Sequence, residues 1–166
     1  FYPRLMTLLI KAISNREALY FVLHILSYFF YFAMLYHISR FLFDEKSAIL
    51  CLALMATRKI VLGGSSIHFT GLYPSFFTLA FVLLAIYLFL KGKYAIAYTI
   101  MGISLNFHTL VAGHAACMLL CYSLLCVISR KIRVRELAKC VGIFVFCASP
   151  TIIWILSTRG KMTDEW

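Results

Sequence analysis

Side chains able to do acid–base or ligand chemistry are few in this chain. Its 166 residues include five histidines and six acidic residues. One polar interval, Asn106-Phe107-His108, interrupts two apolar runs, and His114 follows shortly after. An asparagine amide both donates and accepts, and a histidine can move a proton near neutral pH. Six residues separate His108 from His114, so they fall on different helix faces and do not form the i, i+4 pair of zinc hydrolases. A second interval, 63–74, is uncharged and contains Gly63, Gly64, His68 and Gly71. Its glycines let backbone approach a ligand closely, but the Gly-Lys-Ser/Thr ending of a phosphate-binding loop is absent. Arg58 and Lys59 stand just before it. A guanidinium fork beside an ammonium suits a lipid phosphate, and the same pair suits snorkelling to headgroups. Asp44 and Glu45 read as an N-cap and a first-turn acid, with a catalytic pair as the alternative.

The elements that carry these residues are membrane helices. The composition is 63% hydrophobic and 13% charged, with a mean hydropathy of +0.93. A soluble domain is about 45–50% apolar and about 25% charged. The pattern predicts an all-α, multi-pass transmembrane bundle forming a single domain, with six spans at about 18–38, 47–62, 75–90, 94–105, 109–129 and 137–156. An interfacial amphipathic helix is expected over residues 1–14. The sequence begins at Phe1 with no signal-peptide pattern in these residues, and is expected to be a piece of a longer protein, cut at both ends. The fourth span has about 12 residues against the ~20 that cross a bilayer. It must borrow flanking residues, thin the bilayer, or end in a cavity lined by protein. Pro150 is expected to kink the sixth span.

Charge settles several exclusions. The net charge is +10, but the basic residues lie between apolar runs, so topology explains them and nucleic acid is not an expected partner. The densest basic stretch, 130–139, holds Arg130, Lys131, Arg133, Arg135 and Lys139 against Glu136. The positive-inside rule places that stretch in the cytoplasm of a plasma (inner) membrane. Arg58, Lys59, His68, Asn106 and His108 then converge on the extracytoplasmic face. His24 and His37 sit near the ends of the first span and read as interface or interhelix groups. All six cysteines fall inside predicted spans, where free thiols behave as small hydrophobes. No cofactor is identified, and nothing in the residues supports a divalent metal.

Several segments carry a family resemblance: Phe1-Tyr2-Pro3-Arg4, Gly63-Gly64, Gly71-Leu72-Tyr73-Pro74, and Gly102 through Asn106-Phe107-His108. Together they resemble bacterial polytopic membrane proteins related to the C-type (GT-C) glycosyltransferase superfamily. The resemblance covers most of the chain through loose, mainly hydropathic motifs. It implies a site near the extracytoplasmic surface that uses a polyprenyl-phosphate-linked sugar. Such transfer needs a carboxylate base or metal ligand and positive charge at the lipid phosphate. Position alone nominates Arg58 and Lys59 for that charge, with His68, Asn106, His108 and His114 as further substrate contacts. Members usually carry an acidic residue in an early extracytoplasmic loop. Here Asp44 and Glu45 fall on the opposite side, so the base lies in further sequence, the topology is inverted, or the member is inactive. Two other classes fit the same residues: a transporter-like bundle with a discontinuous helix, and a non-catalytic membrane scaffold.

Overall fold

The computed structural model describes residues 16–56 and 74–158. The amphipathic helix expected over 1–14, and Arg58, Lys59 and His68, lie outside the described residues. Six helices follow one another: α1 (Arg16–Leu42), α2 (Glu45–Ala56), α3 (Pro74–Leu90), α4 (Tyr94–Leu105), α5 (Thr109–Ile128) and α6 (Val134–Thr158). Three segments are long and apolar enough to cross a membrane: Phe21–Leu42 within α1, Thr109–Ile128 and Val134–Thr158. The protein is an all-α, multi-pass membrane bundle. Of the six spans expected, three reach full length among the described residues; α3 has 17 residues and α4 only 12.

Successive helices reverse direction. Tyr28 and Tyr31 of α1 pack on Phe76 at the start of α3, with ring centroids 4.5 and 5.1 Å apart. His37 and Phe41 meet Tyr87 near the end of α3. These two helices therefore run parallel, with α2 returning between them in sequence. Phe89 of α3 meets Tyr94 of α4 at 4.9 Å and Tyr122 of α5 at 5.8 Å. One end of the bundle thus gathers Ala56, Pro74 and the 106–108 junction. The opposite end gathers the α1–α2, α3–α4 and α5–α6 turns.

The short α4 sits in the middle, packed against α3, α5 and α6. Ala97, Tyr98, Met101, Gly102, Ser104 and Leu105 are all buried. Its 12 residues rise about 18 Å against a hydrocarbon core of about 30 Å. Neighbouring helices cover one side of it, and Ile96 and Ile103 remain exposed on another. The Tyr98 hydroxyl donates to Ser123 Oγ on α5 at 2.8 Å, and Ser123 in turn donates to the Leu119 carbonyl at 2.8 Å. Each buried hydroxyl is thereby satisfied without water.

Several boundaries differ from the sequence expectation. α1 continues to Leu42 instead of ending near 38, so Arg40 is helical. Its guanidinium lies 6.0 Å from the Tyr36 ring centroid and 3.6 Å from the Glu45 carboxylate, and a cation favours a helix C-terminus. The Asp44 cap is as expected: its Oδ1 accepts the Ser47 amide N–H at 2.7 Å. Hydrogen bonds from the Ser47 hydroxyl and amide hold the Asp44 carboxyl below its ordinary pKa. α6 begins at Val134 instead of 137, taking Arg135 and Glu136 into the helix. Glu136 explains this, because its carboxylate accepts the Arg133 amide N–H at 3.5 Å in the manner of a capping box. Pro150 lies within a continuous α6.

Two of the turns at the basic end use one device. After α3, Gly92 takes φ 75°, its N–H bonds the Phe89 carbonyl, and the Lys93 N–H bonds the Leu88 carbonyl. After α5, Arg130 takes φ 58°, its N–H bonds the Val127 carbonyl, and the Lys131 N–H bonds the Cys126 carbonyl. Both are Schellman motifs, whose left-handed residue is normally glycine. A side chain in that region costs roughly 1–2 kcal/mol. Arg130→Gly is therefore expected to stabilise the bundle by about 1 kcal/mol in neutral detergent, read from denaturant unfolding.

Candidate functional site

The 106–108 junction is a helical hairpin turn between antiparallel α4 and α5. The last carbonyls of α4 need donors, and the backbone supplies some of them. The amide N–H groups of Asn106 and Phe107 bond the carbonyls of Ile103 and Ser104, both at 3.0 Å. The Asn106 side chain, 8% exposed, supplies the rest. Its Nδ2 donates to the Gly102 carbonyl at 3.1 Å and across to the Cys147 carbonyl of α6 at 2.9 Å. Its Oδ1 accepts the Thr151 hydroxyl at 2.7 Å. The amide orientation follows from these partners, because the opposite assignment would set oxygen against carbonyl oxygen.

Pro150 lies one turn further along α6. Proline has no N–H, so it cannot bond the carbonyl four residues earlier, at Phe146. Ser149 donates its hydroxyl to that carbonyl at 2.8 Å. One residue further on, Cys147 receives Asn106. Ser149 thus serves the proline break, while the Thr151 hydroxyl is given to Asn106 Oδ1. Sequence reading picked out Asn106, Pro150 and Gly102 separately, gave Gly102 no packing role, and missed Thr151 and Ser149. Hydroxyls flanking a proline in an apolar helix were the available signal.

Gly102 allows the contact. A Cβ built there would lie 2.7 Å from Cys147 Cβ and 2.7 Å from the Phe144 carbonyl oxygen. The α4 and α6 backbones therefore touch at this level. Phe107 faces the other way and packs on Phe77 and Phe81 of α3, with ring centroids 5.3 and 6.1 Å away.

His108 is the N-cap of α5, in extended conformation, and its Nδ1 accepts the Val111 N–H at 3.3 Å. This bond requires an unprotonated Nδ1. Burial pushes the His108 pKa below its ordinary value of 6.5. The folded protein thus resists protonation more than the unfolded chain does. His108 stabilises the fold fully at pH values above the unfolded pKa, and the contribution fades as pH falls through 6.5 and below. Melting temperature measured against pH should fall on that acid side in wild type. His108→Asn, which keeps a capping oxygen and cannot titrate, should flatten the fall, while His108→Ala should lose about 1 kcal/mol at neutral pH.

His114 lies one turn into α5 with its side chain exposed, its Nδ1 bonded to the Leu110 carbonyl at 2.7 Å. It does not join Asn106 or His108. His24 is edge-on to Tyr28 at 4.8 Å, and its buried Nδ1 has no hydrogen-bond partner among the described residues. Among the described residues, no three His, Cys, Asp or Glu side chains are grouped to hold a metal ion. The described cysteines are free, with Cys117 and Cys121 exposed on α5.

Comparison with known protein families, curated proteins and solved structures finds no match to this chain.

Proposed function

We propose that this chain is the membrane-embedded part of a glycosyltransferase-like protein of the GT-C kind. In this reading the Asn106 end opens toward the extracytoplasmic side of the plasma membrane and receives the phosphate of a polyprenyl-linked sugar. The single supporting observation is placement. Ala56 and Pro74, which bracket the segment containing Arg58, Lys59 and His68, sit at the same end as His108. Cationic groups would there meet lipid phosphate beside a histidine whose Nε2 is not committed to the cap. The six alternating passes of the sequence reading belong to this proposal, with α3 and α4 crossing behind their neighbours. So does the cytoplasmic placement of Arg130, Lys131 and Arg133. Asn106 takes a positioning part, because its polar atoms are already engaged by α4 and α6.

The test is sugar transfer from a polyprenyl-phosphate donor by the reconstituted full-length protein. Arg58→Ala with Lys59→Ala should reduce transfer at least tenfold while leaving the melting temperature unchanged. Equal transfer by wild type and double variant would overturn the phosphate site.

One observation favours a second reading, a non-catalytic scaffold. Both polar atoms of Asn106 are consumed within the bundle, as expected of a group that only joins helices. Under that reading His68→Ala and His108→Ala lower stability without removing a specific activity. A transporter with a discontinuous helix would need two half-helices in line, whereas α4 and α5 fold back on each other.

A further inference from the structure

The end of the bundle opposite Asn106 carries charge far beyond what its own acids neutralise. Nine basic residues lie there: four on or beside the α1–α2 and α3–α4 turns, and five on or just after the α5–α6 turn. Asp44, Glu45 and Glu136 are the acids at that end. Among the described residues the one ion pair is Arg40 with Glu45. Among the described residues the other cations at that end form no ion pair.

Two of the turns carry most of these cations at that same end. Phe89 precedes the α3–α4 turn and Ile132 belongs to the α5–α6 turn, and both are buried in the same core cluster. Lys91, Lys93, Arg130, Lys131 and Arg133 are all exposed at that end. The Lys91 ammonium is 5.1 Å from the Tyr87 ring centroid and 5.8 Å from that of Phe41. Aromatic rings with an adjacent ammonium are the arrangement found at headgroup depth. Backbone conformation adds an independent pointer. The two turns share one Schellman geometry, yet only one uses glycine, and the other holds Arg130 in the left-handed region. A strained residue kept where glycine would fit without strain points to a use for its side chain.

We propose that these two turns form a binding site for anionic phospholipid headgroups, with Arg130 gripping the phosphate and Lys91, Lys93, Lys131 and Arg133 supplying the surrounding charge. Arginine matches phosphate in a bidentate fork, and lysines act as point charges around it. The partner is a lipid because the site opens at the end of a membrane bundle, where headgroups are already concentrated. This inference does not depend on sugar transfer or on which leaflet the end faces.

The test is lipid retention by the full chain in nanodiscs of phosphatidylcholine with about one third phosphatidylglycerol, read by native mass spectrometry. Wild type should retain phosphatidylglycerol on the order of tenfold over its bulk fraction. Arg130→Gly should cut that enrichment to about twofold while raising the melting temperature in pure phosphatidylcholine. Replacing all five cations by Gln should abolish the enrichment. Two results would overturn the site: no enrichment in wild type, or enrichment that Arg130→Gly leaves intact. So would equal stabilisation of the detergent-solubilised protein by inorganic phosphate, since the site would then read a free anion and not a lipid.

Discussion

Asn106→Asp is expected to lower the unfolding free energy of the bundle by about 3 kcal/mol, the largest single effect of any polar substitution here. The change is nearly isosteric, so packing is not the cause. The Asn106 amide nitrogen faces the carbonyl oxygens of Gly102 and Cys147. A carboxylate oxygen in its place would face those oxygens in a site with little water. The acid must either stay ionised against them or take up a proton, and both cost free energy. Asn106→Ala is milder. It deletes an interhelical bond worth about 0.6–1.7 kcal/mol in a membrane, and the Cys147 carbonyl keeps its place in the α6 ladder. Unfolding in mild detergent micelles titrated with sodium dodecyl sulfate measures both. A double-mutant cycle with Thr151→Ala should show coupling of about 1 kcal/mol, because Thr151 and Asn106 share a 2.7 Å hydrogen bond. Additive losses would mean that the bond does not contribute.

Gly102→Ala should cost about 2–3 kcal/mol, although alanine is the better helix former by ~1 kcal/mol. The sign depends on what the new methyl meets. Its two nearest neighbours, Cys147 Cβ and the Phe144 carbonyl oxygen, are both 2.7 Å away and belong to the α6 frame. Neither is the far end of a flexible side chain. Ordinary carbon contacts need about 3.5–4.0 Å, so α4 and α6 must separate by roughly 1 Å. That movement also stretches the Asn106–Cys147 hydrogen bond one turn along the same seam. Gly142→Ala is the matched control. A Cβ at Gly142 meets nothing within 4 Å, so propensity alone should act there and stabilise α6 by about 1 kcal/mol. Opposite signs for the two glycines establish close helix approach at Gly102. Equal effects would remove it.

What the sequence revealed was the part written in nearest neighbours. The α4 limits, Tyr94 and Leu105, follow from a glycine turn on one side and a polar break on the other. The Asp44 cap follows from its place before an apolar run. The identity of Asn106 as a polar break was equally plain, but its use was not. Its partners lie 41 and 45 residues ahead, and no local pattern pairs an asparagine with a carbonyl and a hydroxyl of another helix. Charge misled in a different way. Arg40 and Arg135 read as loop residues, yet helix ends accommodate cations through aromatic contacts and caps, so α1 and α6 run longer than hydropathy suggests. Of the site, Asn106 and His108 sit at one rim and His114 faces outward, a distinction that turns on burial and not on spacing.

The brevity of α4 has a consequence for biogenesis. A 12-residue segment is too short to leave the translocon and settle in lipid by itself. It must be carried in by a partner, and the three-residue turn after Leu90 makes α3 the one available first. Its burial is complete only after α6 has emerged, since Gly102 and Asn106 find their contacts there. Until synthesis reaches Thr151, the ribosome-bound intermediate therefore holds a half-assembled centre, and membrane chaperones would find their target at that stage.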